Sequence, residues 1–482
     1  MSSSYLRHQI FGRSRVILVL TCGWFALAPH ALRAQAPAEG YLTNRLRLDE
    51  IIRRVISYNE SVQVKMLDFE ISQKTYQGEK GIFEPQVVSS IDHVDSQRPN
   101  NTQQRLSLSF LSSTPQLNER NTIYNGGVEF LTPTGAKIHT GIVLRDLRNN
   151  LQISGLEEYE TFVGANITQP LLKNFGPNAT LARIRLAAIA NDIAFQEYRR
   201  QMMLILSQAE ASYWDLYLTL EQVRVSQESV ALAERIFKDN RSRAEVGRSS
   251  ELEVLQAEAG LALRKSRQME ARYKVYESAN RLASLYSDQL IVTNTDAILL
   301  DPPVIRPVAV AFYADYQQAF MTNPDYLIRQ KQVDQENLRI KYTRNQRLPQ
   351  VDLKASYGLN GLGTSPGDSW DDIDSHEFPA WSLGVEMRIP MLGGKREKND
   401  YEAAKLSKKR ALFNLKEAEI QIGNSLNSAI HKVQTYRENV QNYQSVVEFH
   451  EKLLQSQLAR LEVGSIDSRT VLETEEKLFE AK

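Results

Sequence analysis

Arg460-Leu461-Glu462-Val463-Gly464 ends a long helical pattern, and the same frame, Arg-x-Glu-Val-Gly, occurs once earlier in this chain. The earlier copy is Arg243-Ala244-Glu245-Val246-Gly247, and each copy is followed by polar residues and then by a new helical pattern. A glycine just past a helix supplies the left-handed backbone conformation that ends it. The two copies therefore predict two helical hairpins with matched tips.

The tips belong to a longer internal repeat, which covers most of the chain. Asn59 to Val87 corresponds to Asn323 to Val351 at a constant offset, and each stretch ends in Pro-Gln-Val. Gly164-x5-Pro170 corresponds to Gly384-x5-Pro390 at a smaller offset, which means that the first copy has an insertion between its two strands. The order helix, strand, strand, long helix and tip is therefore expected twice.

Alternation of apolar and polar residues predicts four strands, at 84–95, 160–170, 349–359 and 380–390. The insertion predicts a further β-hairpin, with strands at 127–131 and 136–144 around a turn at 132–135. Residues 360–377 are rich in Gly, Ser and Asp, so we expect an exposed loop there. The apolar faces fit either a soluble sandwich or a membrane barrel, and alternation alone does not choose between them.

A heptad repeat marks the second long helix, which would extend about 100 Å from Lys395 to Val463 at 1.5 Å per residue. The first copy, from about Leu181 to Val246, is similar in length. Apolar residues seven apart, with companions three residues further on, predict a coiled-coil seam. The two rows are Leu426, Val433, Val440, Val447, Leu454, Leu461 and Leu415, Ile422, Ala429, Tyr436, Tyr443.

The N-terminal segment 1–36 has the pattern of a Sec-type secretory signal peptide, with basic residues before an apolar run at 16–28. Ala34-Gln35-Ala36 is a small-x-small signature, so cleavage is expected after Ala36. The only cysteine, Cys22, lies in this segment, and the mature chain should therefore have no disulfide. The formal net charge is zero, and about −4 without this segment, which argues against nucleic-acid binding.

Length and composition set further limits on the class of protein. The 482 residues are 24% charged and 42% hydrophobic, so the chain is neither disordered nor a helical membrane protein. No phosphate loop, nucleophile elbow or paired-carboxylate site has supporting context, so neither an enzyme nor a cofactor is expected. The predicted divisions are a signal peptide at 1–36, a first structural repeat at 37–288 with its extra hairpin at about 97–160, a linker at 289–310, and a second structural repeat at 311–482.

Together, the signal peptide, the duplicated unit, the long heptads and the paired tips resemble the TolC family of outer-membrane efflux and secretion channels. The most specific residues are those from Val246 to Val254 and Val463-Gly464-Ser465, with Gln169-Pro170-Leu171-Leu172 and the two Pro-Gln-Val strand starts. The resemblance implies an α+β membrane protein built from a duplicated strand–strand–long-helix–hairpin unit. In a homotrimer, this unit would form an outer-membrane β-barrel continuous with a periplasmic α-helical coiled-coil barrel.

The family implies a passive export conduit within a tripartite efflux or type I secretion system. Its expected partners are outer-membrane lipid, a periplasmic adaptor (membrane fusion) protein, and an inner-membrane pump or ABC transporter. The tip residues expected to contact the adaptor are Val246, Gly247, Arg248, Ser249, Val463, Gly464 and Ser465. The alternative is a periplasmic coiled-coil adaptor or scaffold that does not enter a membrane.

Two acids are candidates for a pore gate in the tip regions 243–253 and 460–473. Glu253 lies six residues after Gly247, and Glu473 lies nine residues after Gly464. Thr470 and Ile466 stand where the family can place an acid and a base. The alternative for both acids is an ordinary solvated helix face.

Two further expectations concern metal binding and the end of the chain. The acidic stretch 368–377 is expected to be a solvated loop rather than a cation site, because it lacks the glycine and spacing of a calcium loop. The chain ends at Lys482, soon after Gly464, whereas the first return helix is expected to run from beyond Gly247 to about Tyr286. On that comparison, a truncated second return helix is expected.

Overall fold

The computed structural model describes residues 45–102, 116–150, 152, 157–286, 298–299, 301–305, 309–391 and 393–482. The predicted signal peptide and most of the predicted linker lie outside the described residues. Within the described ranges, each helix is either too short or too polar to cross a lipid bilayer.

The first repeat begins with short helices, continues with strands and ends with two long helices. Its elements are β1 (Arg45–Leu46), α1 (Leu48–Tyr58), α2 (Glu60–Lys80), β2 (Gln86–Pro99), β3 (Gln116–Leu131), β4 (Lys137–Leu147), β5 (Glu158–Pro170), α3 (Pro177–Thr180), α4 (Ala182–Glu245) and α5 (Glu251–Tyr286). The second repeat follows the same order. Its elements are β6 (Ile298–Leu299), α6 (Phe312–Thr322), α7 (Pro324–Gln346), β7 (Gln350–Gly363), α8 (Pro366–Ser375), β8 (Pro379–Arg388), α9 (Lys395–Glu462) and α10 (Ser468–Ala481).

The repeat extends to the helix caps. α6 begins and ends at the positions that correspond to the two ends of α1, and an asparagine follows each of these helices. Asn59 accepts a hydrogen bond from the Val62 amide (3.2 Å), and Asn323 accepts one from the Asp325 amide (2.9 Å). Such caps satisfy the free N–H groups at a helix start. Asn59 also donates to the Leu285 carbonyl (3.1 Å), which fixes the start of α2 at the end of α5.

β1 and β6 form a short parallel pair, and the other six described strands form one antiparallel sheet in the order β2-β3-β4-β5-β7-β8. β5 of the first repeat pairs with β7 of the second, with Val163 opposite Leu359. The hairpin of β3 and β4 lies between β2 and β5, so the insertion in the first repeat widens the sheet.

One face of this sheet is apolar across all six strands, and we call it the apolar band. Paired residues of neighbouring strands share a face, as Tyr357 and Trp381 do. Trp381 and Leu383 are 75% and 66% exposed, so no described residue covers this edge of the band. Its members include Val87, Ile91, Tyr124, Val128, Ile138, Ile142, Val163, Ile167, Leu353, Tyr357, Trp381, Leu383, Val385 and Met387.

The opposite face of the sheet is polar. Lys354 forms an ion pair with Glu386, and the Ser356 and Ser382 hydroxyls are 2.7 Å apart. The apolar band itself ends at one edge where Arg120 Nε donates to Asp95 Oδ2 (3.1 Å). The alternation that predicted these strands therefore separates an exposed apolar surface from a charged one.

Residues 360–377 do not form the exposed loop that their composition suggested. β7 continues to Gly363, and α8 packs on β5 and β7. Ser369 on α8 is fully buried, and its hydroxyl lies 2.7 Å from the Thr161 hydroxyl. A Cβ at Gly361 would lie 1.8 Å from the Ser369 carbonyl oxygen, so the glycine allows the helix to contact the strand directly. Gly361 and Ser369 allow α8 to pack closely on the sheet. The Gly- and Ser-rich composition of this segment therefore led to the wrong prediction of a loop.

The helices pack side by side, α2 against α4, α4 against α7, and α7 against α9. A first core lies where α1 crosses α4 and α5, around Ile51, Tyr213 and Leu282. There, the Tyr213 hydroxyl donates to Asp301 Oδ2 (3.3 Å), and burial raises the pKa of Tyr213 to about 12. The phenol therefore stays protonated as a hydrogen-bond donor at neutral pH.

The heptad seam of α9 is only partly covered. Leu454 and Leu461 pack into a second core near the tips. All residues from 431 to 446 are exposed in the described chain, including the seam residues Val433 and Tyr436. The heptads thus predicted the helix correctly, but the middle of the predicted seam has no partner among the described residues.

Candidate functional site: the two helical tips

Both helical hairpins turn at the predicted glycines with the same backbone geometry. Gly247 has φ +71° and Gly464 has φ +74°. In each tip, the glycine N–H donates to the carbonyl three residues earlier (2.9 and 3.0 Å), and the next N–H donates to the carbonyl five residues earlier (2.7 and 2.9 Å). These paired bonds satisfy carbonyls at the end of the helix, as in a Schellman motif.

The return helix of each hairpin begins with an equivalent cap. Ser250 Oγ accepts a hydrogen bond from the Glu253 amide (3.2 Å) before α5, and Asp467 Oδ1 accepts one from the Thr470 amide (3.0 Å) before α10. Hydrogen bonds from Thr470 hold the pKa of Asp467 below its usual value. The two tips therefore match both where the first helix of the hairpin ends and where the return helix begins.

The predicted contact residues lie largely at the surface. Val246 and Val463 are 68% and 79% exposed, and a Cβ on either tip glycine would meet nothing within 4 Å. Among the other predicted contacts, Arg248 and Ser465 are exposed and Ser249 is half-buried. Each tip thus presents one exposed apolar side chain among polar groups.

The structure places the two candidate gate acids in different settings. Glu253 is half-buried and accepts a hydrogen bond from the Ser249 hydroxyl. Glu473 is exposed, but Arg469 Nε donates to its Oε1 at 2.8 Å, one helical turn away. The sequence interpretation did not consider Arg469, although its spacing of four residues on a predicted helix was visible.

Thr470 and Ile466, which stand where the family can place an acid and a base, have structural roles instead. The Thr470 amide and hydroxyl both donate to Asp467 Oδ1 in the cap of α10, and Ile466 packs against the core near the tips. Their side chains therefore stabilise the second hairpin within the subunit.

Sequence reasoning missed two contacts that join the hairpins. Arg243 Nη1 donates to the Leu461 carbonyl at the end of α9 (3.1 Å), and Asn240 Nδ2 donates to Ser468 Oγ (2.9 Å). A cation at a helix C-terminus interacts favourably with the partial negative charge there. The repeated Arg-x-Glu-Val-Gly frame contained a signal for this contact, because its first residue, Arg243, is the one that hydrogen-bonds to the other hairpin.

A buried ion pair also joins the hairpins. Arg264 on α5 and Glu475 on α10 approach to 2.5 Å, with side chains only 6% and 8% exposed. Arg264 also donates to the Leu472 carbonyl (2.8 Å). Because the partners lie far apart along the chain, no local pattern in the sequence predicted this contact.

No group of three or more His, Cys, Asp or Glu side chains in the described part of the chain is arranged to hold a metal ion. The exposed apolar band of the sheet and the two long helical hairpins fit an outer-membrane channel protein.

The chain belongs to the outer membrane efflux protein family, whose model matches residues 145–287 and 316–482. The matched ranges include both tips and both long helical hairpins. Members of this family are passive transport conduits rather than enzymes. A search of the curated proteins finds no match to this chain.

Solved structures with low sequence identity share the fold. The outer-membrane protein VceC from Vibrio cholerae matches with a TM-score of 0.61 and 14% identity, covering 90% of this chain and 90% of that chain. The CmeC outer-membrane channel of Campylobacter jejuni matches with a TM-score of 0.60 and 15% identity, covering 90% of this chain and 80% of that chain. A membrane protein from Pseudomonas aeruginosa matches with a TM-score of 0.62 and 16% identity, covering 90% of this chain and 88% of that chain. The predicted α+β channel fold is thereby confirmed.

The buried ion pair gives a prediction about stability. Arg264→Ala should destabilise the protein by about 3–5 kcal/mol, because it leaves the Glu475 carboxylate buried without a partner. Replacing both partners, as in Arg264→Met with Glu475→Leu, should cost much less. The measurement is the thermal unfolding midpoint of the helices by circular dichroism.

The matched control for this prediction is the exposed pair on α10. Arg469→Ala should change stability by no more than about 1 kcal/mol, because exposed ion pairs contribute little. Equal shifts for Arg264→Ala and Arg469→Ala would contradict a special role for the buried pair.

Proposed function

We propose that this outer-membrane channel component of a tripartite efflux system works as a homotrimer whose sheets close into one barrel. The supporting observation is the apolar band, which is exposed and continuous over six strands. In lipid, such a face is stable only if every backbone polar group of the sheet is paired.

The sheet edges explain why several copies are needed. Among the described residues, β2 and β8 each pair on one side only, so each has a row of backbone groups without a partner in the described sheet. Unpaired groups cost several kcal/mol each in lipid, so β8 of one copy would pair with β2 of the next. Three copies of the six-stranded sheet would form one closed barrel that includes the hairpin of β3 and β4 from each copy.

The location in the cell follows the same reasoning. The band would lie in the outer membrane, α4, α5, α9 and α10 would extend into the periplasm, and a Sec-type signal peptide would be cleaved after Ala36. The alternative, a periplasmic coiled-coil adaptor or scaffold, would have to bury Trp381 and Leu383 in some other way. Membership of the outer membrane efflux protein family favours the channel.

The membrane face is tested by Leu383→Arg, with Ser382→Arg on the polar face of the same strand as control. An arginine on the lipid side of a barrel costs about 2–4 kcal/mol near the bilayer midplane, so Leu383→Arg should reduce the yield of membrane-inserted trimer. Ser382→Arg should insert normally. The readout is heat-modifiable trimer on gels of outer-membrane fractions. A chain that purifies as a soluble monomer without detergent would contradict the proposal.

We further propose that the tips bind a periplasmic adaptor (membrane fusion) protein, which links the channel to an inner-membrane pump or ABC transporter. Support comes from the exposed valines 246 and 463 and from the matched turns at Gly247 and Gly464. The other proposed contacts are Arg248, Ser249 and Ser465.

The double variant Gly247→Ala, Gly464→Ala should weaken photo-crosslinking from Val463 to the adaptor and reduce export. Alanine strains a left-handed backbone by about 1–2 kcal/mol at each tip and alters the surface there. Gly394→Ala is the matched control, because Gly394 is also left-handed (φ 63°, ψ 55°) but lies just before α9, at the other end of that helix from the tip. A Cβ there would closely approach only the flexible carboxylate of Glu397, at 3.2 Å. Equal export and crosslinking in all three proteins would exclude the tips as the contact.

For the pore gate, we propose that Glu473 and Arg469 face the pore as paired rings in the trimer, with Glu253 as a second acidic ring. Arg469→Gln should then increase cation preference in single-channel recordings, because it leaves three unpaired carboxylates. Glu473→Gln should decrease it. Glu253→Gln tests the second ring in the same way. If none of these variants changes ion selectivity, the acids are ordinary surface groups.

A further inference from the structure

A cavity lies at the end of the sheet from which α9 begins. Its volume of about 850 Å³ is within the range of small-molecule sites, about 300–1,000 Å³. Its walls come from the end of α7, the start of β7, the end of β8, the first turn of α9 and the segment after β5. We call it the rim cavity, and its lining includes Lys173, Arg344, Arg347, Met387, Ile389 and Lys398.

The rim cavity is strongly basic, although the chain as a whole has no formal net charge. Five of its lining residues are basic and only one, Glu397, is acidic. The adjoining ends of α7 and α9 strengthen this positive field, because residues 339–347 and 395–410 hold eleven Lys and Arg residues and three acids. Clustered charge of one sign in a cleft raises the local concentration of counter-ions. An anionic group would therefore be attracted to this cavity.

Among the described residues, three cations of the rim cavity, Arg344, Arg347 and Lys398, take part in no ion pair, whereas the other two each pair with a glutamate. The Arg347 guanidinium lies over the Tyr401 ring, 4.8 Å from its centroid. An arginine that stacks on an aromatic ring keeps the N–H groups of its planar fork available for an anion. The cavity thus holds cations whose charge is not already compensated by an acidic neighbour.

The rim cavity also adjoins the apolar band. Met387, the last member of the band on β8, lines the cavity, and so does Ile389 just beyond the strand. Both side chains are more than half exposed, and Met391, two residues further along the chain, is fully exposed. A ligand in the cavity would therefore have cations on one side and uncovered apolar side chains on the other. This combination fits an amphiphile better than a free anion.

The position of the rim cavity along β8 corresponds to the depth of lipid headgroups. The band on this strand runs from Trp381 to Met387, roughly 20 Å at about 3.4 Å per residue, and the apolar band of a membrane barrel is about 25 Å tall. The cavity follows at the end of β8 that leads into α9, which is the periplasmic end in the proposed orientation. Its cations therefore lie where the apolar band ends and lipid phosphates begin.

We infer that the rim cavity binds the phosphate of an anionic phospholipid from the membrane leaflet that faces the periplasm, with Arg344, Arg347 and Lys398 as its cationic partners. The acyl chains lie over the exposed apolar side chains beside the cavity. This inference rests on the membrane-inserted trimer proposed above and assigns a class of lipid to one end of its apolar band. Anionic headgroups are preferred to zwitterionic ones because the lining carries an excess of positive charge.

The test is native mass spectrometry of the purified full-length trimer, with added phosphatidylglycerol or phosphatidylcholine of identical acyl chains. The parent trimer should retain phosphatidylglycerol more strongly, because only that headgroup has a net negative charge. Arg344→Gln with Arg347→Gln should weaken phosphatidylglycerol retention by roughly fivefold for each cation removed, which corresponds to the usual contribution of one Lys or Arg near an anionic lipid surface.

Lys409→Gln with Arg410→Gln is the matched control. It removes the same charge from exposed positions of α9 that lie about 17 Å further along the helix than Lys398, at about 1.5 Å per residue. This variant should retain phosphatidylglycerol as the parent does. Arg344→Lys with Arg347→Lys keeps both charges and should retain most of the binding, which separates the effect of charge from that of packing.

Equal retention of phosphatidylglycerol by the parent and by Arg344→Gln with Arg347→Gln overturns the inference, and so does equal retention of the two lipids by the parent. Glycerol 3-phosphate has the headgroup phosphate without acyl chains, so it should not displace the lipid at equal concentration. Displacement would assign the cavity to a free phosphate ester and also overturn the inference. In each of these cases, an intact inserted trimer leaves the proposed function standing. A parent chain that forms no trimer and enters no membrane overturns both.

Discussion

The backbone groups along β2 and β8 impose the requirement on which this structure depends. A six-stranded sheet with an exposed apolar face cannot remain open in lipid, because each of its edges has a row of N–H and C=O groups that no described strand pairs. In the proposed trimer, pairing the edges of neighbouring copies would remove that cost and would place the helices of all copies side by side.

Local sequence signals predicted much of this architecture. Asn59 and Asn323 match in the sequence and cap equivalent helices in the structure, because a cap depends on a few neighbouring residues. The glycines at 247 and 464 likewise act locally, through a left-handed backbone that other residues adopt at a cost. Strand alternation was similarly informative, because an exposed apolar face requires it in every strand.

Contacts between distant segments could not be predicted in the same way. Gly361 and Ser369 appeared to belong to a loop because their role is to let α8 lie directly on β7. The pairing of Arg264 with Glu475 depends on how two hairpins dock, and nothing in either helix alone indicates it. For Glu473, the sequence showed an acid at a family position, whereas its charge in the structure is shared with Arg469.

The hairpin of β3 and β4 has a consequence for flow through the proposed conduit. Within the described residues, it adds strands to the proposed membrane section and no helix to the proposed periplasmic section. The diameter of a barrel increases with its number of strands. The two sections of a conduit act as resistances in series, so the narrower section contributes most of the total resistance to flow. A wider membrane section therefore leaves the helical section and its tips as the dominant resistance. Changes in the strands should alter insertion far more than they alter throughput.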